Sequence, residues 1–272
     1  MVKSMEPAKG EGIRRLFSIQ VFTAITLMTF VYSVTVFVFL FDTFGPDGSV
    51  LHTVLFTFFG GMSFISFIAA VLIDPGRVPD SFYTEIEDPV IQKSKKYCDR
   101  CLTHKPSRAH HCRVCKRCIL KMDHHCGWIN NCVGYRNYKP FIIFVLYATI
   151  SLIYSLVIFV LNLNQIDRSF DRSQTILYVS FCSIDVLLII ILGTLLGWHI
   201  YLISRNLTTI EYRGEVRAIW LAKKSGEKYK HPYNVGVWKN ITMVLGSSML
   251  KWFWPLAVDH LKDGTEFSIY HD

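Results

Sequence analysis

Charged side chains are scarce in this chain. Asp, Glu, Lys and Arg make up 18% of its 272 residues, against 51% hydrophobic residues, where a soluble domain carries about a quarter charged. The deficit is local. Residues 17–41, 51–73 and 140–161 contain no Asp, Glu, Lys or Arg, and residues 176–203 contain only Asp185. A helix crossing the bilayer core needs roughly 20 apolar residues, so these four runs are expected to span a membrane rather than fill a large soluble core. The absence of charge from three of them disfavours a transporter or channel, whose pathway needs polar groups. The first run also lacks a small-residue cleavage site and is too long for a signal peptide. No low-complexity tract and no internal repeat is read along the chain.

Basic residues are missing from two connections. The segments before the first run, between the second and third, and after the fourth hold 4, 13 and 10 of the 29 Lys and Arg, leaving only Arg168 and Arg172 elsewhere. Basic loops stay cytosolic, so both termini and the large central loop are expected in the cytosol. The organisation expected is a tail over 1–16, helices 1 and 2 over 17–76, a cysteine-rich domain over 77–138, helices 3 and 4 over 139–203, and a C-terminal region over 204–272. A net charge of +8 then reflects basic residues beside an anionic leaflet, and nucleic acid is not an expected partner. The sequons at Asn206 and Asn240 fall on the cytosolic side and should stay unmodified. The setting is the endomembrane system, Golgi or endoplasmic reticulum, or the plasma membrane; span length does not choose among them.

Cysteine is nearly absent outside the central loop: of eight, only Cys182 lies elsewhere, read as an apolar filler. The other seven run Cys98-x2-Cys101, His111-Cys112-x2-Cys115-x2-Cys118, Asp123-His124-His125-Cys126 and Cys132. Cytosolic thiols stay reduced, and paired Cys-x2-Cys spacing suits tetrahedral zinc. Two structural sites need eight ligands. Seven cysteines with His111 and His125 give nine candidates, so one is left over, either Cys126 or Cys132. Only Cys126 follows an Asp-His pair, in which an imidazole can take the thiol proton while a carboxylate fixes its tautomer. Spacing favours Cys126 as the reactive thiol and leaves the reverse assignment open.

Asp123-His124-His125-Cys126, in a cysteine-rich loop between spans two and three of four, resembles the DHHC family of protein S-acyltransferases. Asp74-Pro75-Gly76 is similar to that family's DPG motif, Thr208-Thr209-Ile210-Glu211 to its TTxE motif, and Tyr233 to Asn240 to its C-terminal motif. The resemblance implies an all-α membrane protein of four transmembrane helices with a cytosolic zinc-binding domain between helices 2 and 3. It implies one zinc on Cys98, Cys101, His111 and Cys118, and another on Cys112, Cys115, His125 and Cys132. Cys126, His124 and Asp123 would then be catalytic, with Asp74, Pro75, Gly76, Thr208, Thr209, Glu211, Tyr233 and Asn240 supporting the site. The reaction implied moves a fatty acyl group, palmitoyl above all, from acyl-CoA through a Cys126 acyl-enzyme to cysteines of cytosol-facing, membrane-associated proteins. Arg and Lys of the loop and tail are candidate CoA phosphate partners, without a choice among them.

Other residues read more plainly. Asp185 is costly in a bilayer and marks either function or, as read here, a structural pair. Ala148, Ser151 and Ser155 recur at helical spacing and suit close helix packing. His104 and His110 read as solvated or supporting groups, and Trp128 as loop packing or an interface residue. The rival function is a non-catalytic zinc-stabilised membrane scaffold, which would not need Asp123, His124 and Cys126 together.

Overall fold

The computed structural model describes residues 10–79, 82, 97–165 and 171–269. Most of the tail expected over 1–16, and Arg168, lie outside the described residues. The fold is mostly helical. Helix α1 (Glu11–Leu16) leads into α2 (Ile19–Val34), a π-helical turn (Thr35–Leu40) and α3 (Phe41–Leu72); then follow α4 (Tyr138–Asn164), α5 (Arg172–Ser204), α6 (Thr209–Ser225) and α7 (Val237–Leu245). The cysteine-rich segment adds three two-stranded antiparallel hairpins, β1–β2 (Tyr97–Cys98, Thr103–His104), β3–β4 (His110–Cys112, Arg117–Ile119) and β5–β6 (His124–Cys126, Asn131–Val133). These hairpins are absent from an all-α description.

Among the described residues, three helices are long and apolar enough to cross a membrane: residues 19–72, 138–164 and 172–204. The first, at 54 residues, is broken once. The connection between the first two apolar runs, residues 42–50, is expected as a turn-rich loop but is helical except at Gly45, whose φ of 64° and ψ of −173° reverse the chain before Pro46. Glycine reaches that backbone region without the Cβ clash that excludes other residues. The two limbs fold back on each other, for Tyr32 bonds Thr57 at 2.8 Å and Arg15 reaches the Val71 carbonyl at 3.5 Å.

Two apolar cores hold the helices. Away from the cysteine-rich side, Phe39 meets Phe159, Tyr178 and Phe181 at centroid distances of 5.3, 5.2 and 4.8 Å, mostly edge to face. In the same half, Ser155 Oγ donates to Asp185 Oδ1 at 2.8 Å with both residues fully buried, so Asp185 pairs between α4 and α5. On the other side, Phe67, Val71, Phe141, Val145 and Ile203 pack with Ile129 and Val133 of the third hairpin. That core seats the cysteine-rich domain on the helix ends. Gly134 permits the approach: a Cβ there would lie 2.7 Å from both the Ile119 side chain and the Pro75 carbonyl.

Candidate active site and metal centres

The three hairpins are copies of one unit. Tyr97↔His104, His111↔Cys118 and His125↔Cys132 are equivalent cross-strand pairs, as are Cys98↔Thr103, Cys112↔Arg117 and Cys126↔Asn131. Leu102, Lys116 and Asn130 take the same left-handed conformation, with φ of 53°, 52° and 46°. Each turn therefore places its first Cys and the residue three further on at the same points, and the copies recur every 14 residues, from Cys98 to Cys112 to Cys126. This repeat corrects the sequence reading that found none. It escapes inspection because two of its twelve framework positions carry Tyr97 and Ile129 instead of Cys or His.

Each metal centre joins two copies. The Cys98 and Cys101 turn of the first copy faces the His111–Cys118 pair of the second. The Cys112 and Cys115 turn of the second faces the His125–Cys132 pair of the third. Successive strand residues point to opposite faces, so the adjacent His111 and Cys112 serve different centres. Spacings suit a tetrahedral ion, for zinc with Zn–S near ~2.3 Å and Zn–N near ~2.0 Å separates ligand atoms by roughly 3.6–3.8 Å. His111 Nδ1 lies 3.6 and 3.2 Å from Cys98 and Cys101, and Cys118 lies 3.7 Å from Cys101. His125 Nδ1 lies 3.7, 3.5 and 3.6 Å from Cys112, Cys115 and Cys132. Both groups can hold a metal ion.

The third copy has no such outlet. Ile129 stands where the second turn cysteine would be, and α4 begins at Tyr138 with no fourth hairpin to face it. Ile129 instead buries completely in the core against the helices. Cys126 keeps its place beside the turn's amides, and those of Ile129 and Trp128 favour its thiolate. The same alternation that sends His125 to the metal group puts His124 and Cys126 on the opposite face, where each shifts the titration of the other.

Asp123 completes the line. Its Oδ2 lies 2.7 Å from His124 Nδ1, so the proton there leaves Nε2 facing Cys126. Thr209 fixes the carboxylate, its N–H to Oδ1 at 2.9 Å and its hydroxyl to Oδ2 at 2.8 Å. That N–H is free because Thr209 opens α6, whose capping box has Thr208 accepting from Glu211 N at 3.2 Å and Glu211 accepting from Thr208 N at 2.9 Å. A helix N-terminus favours a carboxylate. Burial opposes charge on Asp123, but the His124 bond, the nearby histidines and Thr209 hold it below the usual carboxylate range. Burial likewise opposes a charged His124, yet its bonds to Asp123 and Cys126 raise it to about 9. Against burial, the His124 bond and the turn amides lower the Cys126 thiol. The arrangement favours a thiolate–imidazolium pair, a nucleophile with an adjacent proton carrier.

Comparisons agree with this geometry. A family profile described as DHHC palmitoyltransferase matches residues 91–215. Probable protein S-acyltransferase 15 of Arabidopsis thaliana is 47% identical over 253 residues, covering 90% of this chain and 100% of its own length. Probable protein S-acyltransferase 16 of the same plant is 43% identical, over 97% of this chain and 96% of its own. The chain belongs to the DHHC palmitoyltransferase family. It is a protein S-acyltransferase. The human palmitoyltransferase ZDHHC2 is 37% identical over 178 residues, 63% of this chain and 46% of its own.

In this palmitoyltransferase the residues of the remaining motifs make identifiable contacts. Asp74 accepts from Gly76 N at 2.9 Å and pairs with Arg117 at 2.7 Å, while the Pro75 and Gly76 carbonyls receive Arg136 N and Leu120 N. Asn240, fully buried, donates to Ser204 O and Asn234 Oδ1 at 2.8 Å. Asn206, 3% exposed, donates to Tyr233 O at 2.7 Å. Both sequon asparagines are thus engaged inside the fold.

Several residues had no motif to mark them. Arg108 grips Glu211 with two bonds of 2.7 Å, donates to Asn206 Oδ1 and O, and stacks 4.4 Å from the Tyr233 ring. Asn131 donates to the carbonyls of Ala70, Val71 and Ile73, capping the end of α3. His199, 1% exposed, bonds Tyr138 at 2.9 Å and lies 5.9 Å from the His124 ring. It stands close enough to Asp123 and His124 to form a third possible metal group, but both Asp123 oxygens are already committed to Thr209 and His124. The signal for Arg108 was its place two residues before the His110-His111 pair; for His199 it was only a titratable residue in an apolar run.

Proposed function

We propose that this palmitoyltransferase works in two steps through a Cys126 acyl-enzyme. The Cys126 thiolate attacks the thioester carbonyl of a fatty acyl-CoA; the C–S bond to CoA breaks, and the departing sulfur takes the proton from His124. A substrate cysteine then gives its proton to His124 and attacks the acyl-Cys126 thioester, which restores the thiolate. One thioester replaces another in each step, so no nucleotide is consumed. Asp123 keeps His124 in one tautomer and balances its charge, and α6 holds Asp123 still.

Four crossings fit the doubled-back α2–α3 limbs with α4 and α5. The basic cysteine-rich and C-terminal segments belong on the cytosolic side. A site at the helix ends lets the acyl tail stay in lipid, where each CH₂ kept from water is worth ~0.8 kcal/mol. The two Cys₃His groups are suited to zinc, which when bound would supply the cross-links that a segment with so small a core needs for folding. Palmitoyl-CoA as donor, and membrane-associated proteins with cysteines near the cytosolic surface as acceptors, complete the reading.

The observation that carries it is the strand alternation giving His124 and Cys126 one face and His125 the other, with Asp123 bonded to His124 at 2.7 Å. The test is intact mass of purified protein after incubation with palmitoyl-CoA, with zinc measured on the same samples. A hydroxylamine-labile adduct on wild type, absent from Cys126→Ser with both zincs retained, supports the nucleophile. Loss of zinc from Cys126→Ser, with Cys132 acylated instead, overturns it.

A further inference from the structure

The chain after α7 presents an apolar surface that the two-step reaction does not use and that lies beyond the family profile, which ends at residue 215. Met249, Leu250, Phe253, Trp254 and Leu256 are exposed, Leu250 at 95%. Trp238 on α7 extends the surface, its ring 5.5 Å from that of Trp252. Contiguous apolar patches of this kind rarely face water on a monomer.

Its position is set by one lysine. Lys139, in the first turn of α4, is 2% exposed and donates to the carbonyls of Leu245, Lys251 and Ala257 at 2.8, 2.9 and 2.8 Å. An ammonium has three protons, and all three fasten this loop to the head of α4. Trp252 Nε1 closes it further onto the Gly246 carbonyl at 2.8 Å. Leu245 packs with Met62, Ile143 and Tyr147. Those side chains lie one to three turns inside the ends of α3 and α4, roughly 7–15 Å along their axes at ~1.5 Å per residue. The C-terminal segment therefore reaches alongside the apolar helices instead of resting above them.

We propose that residues 249–256 form an interfacial anchor, inserted into the leaflet on the side of the cysteine-rich domain. This rests on reading the long apolar helices as membrane spans. Trp rings suit that depth, with an apolar body and a polar edge. The loop's exposed charges, Lys251 and Asp259, pair with each other at 2.8 Å. The anchor continues into α7, whose Asn240 holds the end of α5, so it ties the height of the active site to that of the lipid supplying the acyl chain.

The test places p-benzoylphenylalanine at Leu250, at Leu187 on the exposed face of α5, and at exposed Lys228. The full-length protein is irradiated in nanodiscs containing a clickable phospholipid. Lipid adducts at Leu250 should match those at Leu187 within about threefold and exceed those at Lys228 by about tenfold or more, as depth in the bilayer dictates. Leu250 behaving like Lys228, or giving a cross-linked pair of chains without lipid, overturns the anchor while Leu187 still labels. No adduct at Leu187 would overturn the membrane reading itself and the anchor with it.

Discussion

The cysteine-rich hairpins and the helix bundle solve the same problem by opposite means. In the bundle, long apolar helices bury rings such as Phe39 and Phe181 against one another. In the hairpins, strands are only two or three residues long, and six cysteines with two histidines gather into two groups that can hold metal. The bundle can shift a side chain and stay a bundle. The hairpins depend on discrete contacts among a few side chains, so a single change there should be felt throughout. Cys126 belongs to neither metal group.

The largest effect expected from breaking this contrast is on the hairpins. Cys132→Ala should release the metal of the second group and unfold the hairpins, since zinc binding supplies about 10–16 kcal/mol per site in zinc-finger peptides. Zinc stoichiometry should fall and acyl-enzyme formation vanish, with helical circular dichroism largely kept. Equal loss of helix signal would erase the distinction between the two regions.

Asp123→Asn should lower acyl transfer by about 10²–10⁴-fold, the usual weight of acid–base assistance, with zinc content unchanged. The pH dependence follows from the same contacts. The Cys126 thiol is lowered, so its thiolate extends to lower pH than that of an ordinary thiol and is lost as pH falls through the depressed value. In His124→Gln, the midpoint for alkylation of Cys126 should move up toward an ordinary thiol near ~8.5. An unmoved midpoint would assign the lowering to the turn amides alone.

The joint between the regions comes next. Arg108→Met would leave the half-buried Glu211 without its main partner, at a cost of up to about 3–5 kcal/mol, visible as a lower melting temperature. Glu211 is held below its ordinary value, Arg108 being the main cause that outweighs burial. The pair's stabilisation is therefore present above the unfolded value near ~4.3 and lost as pH falls through the lower folded one. Adding Glu211→Leu to Arg108→Met should recover much of the loss; no recovery would mean Arg108 acts mainly through Asn206 and Tyr233. The smallest effect belongs to the bundle: Ser155→Ala removes one hydrogen bond to Asp185 and should cost about 0.6–2 kcal/mol, without touching zinc or acylation rate.

Much of this was legible in the residue order. The third and fourth apolar runs appear as helices within a few residues of their expected bounds, because a bilayer demands length and apolarity that composition records directly; the first two run together as residues 19–72, broken only at Gly45. The pairs Cys98 with Cys101 and Cys112 with Cys115 were legible through their spacing, since two thiolates on one turn sit three residues apart; their remaining partners came from the family resemblance. The 14-residue repeat was harder to see, because backbone conformation at Leu102, Lys116 and Asn130 carries it more faithfully than side-chain identity. Gly45 was expected inside a loop and proved to be the whole of it.

By itself, then, the sequence determined the elements and the chemistry available: apolar helices, paired cysteines, an acid and a base beside a thiol. Only the tertiary structure decided how those groups are shared out. Strand alternation turned His125 toward the metal group and His124 toward Cys126. The packing of Ile129 into the helix core denied Cys126 a metal partner, and α6 brought Thr209 across to hold Asp123. Such assignments depend on which face a side chain occupies and on what lies opposite it. A linear order of residues does not contain either, because both arise when distant segments close on one another.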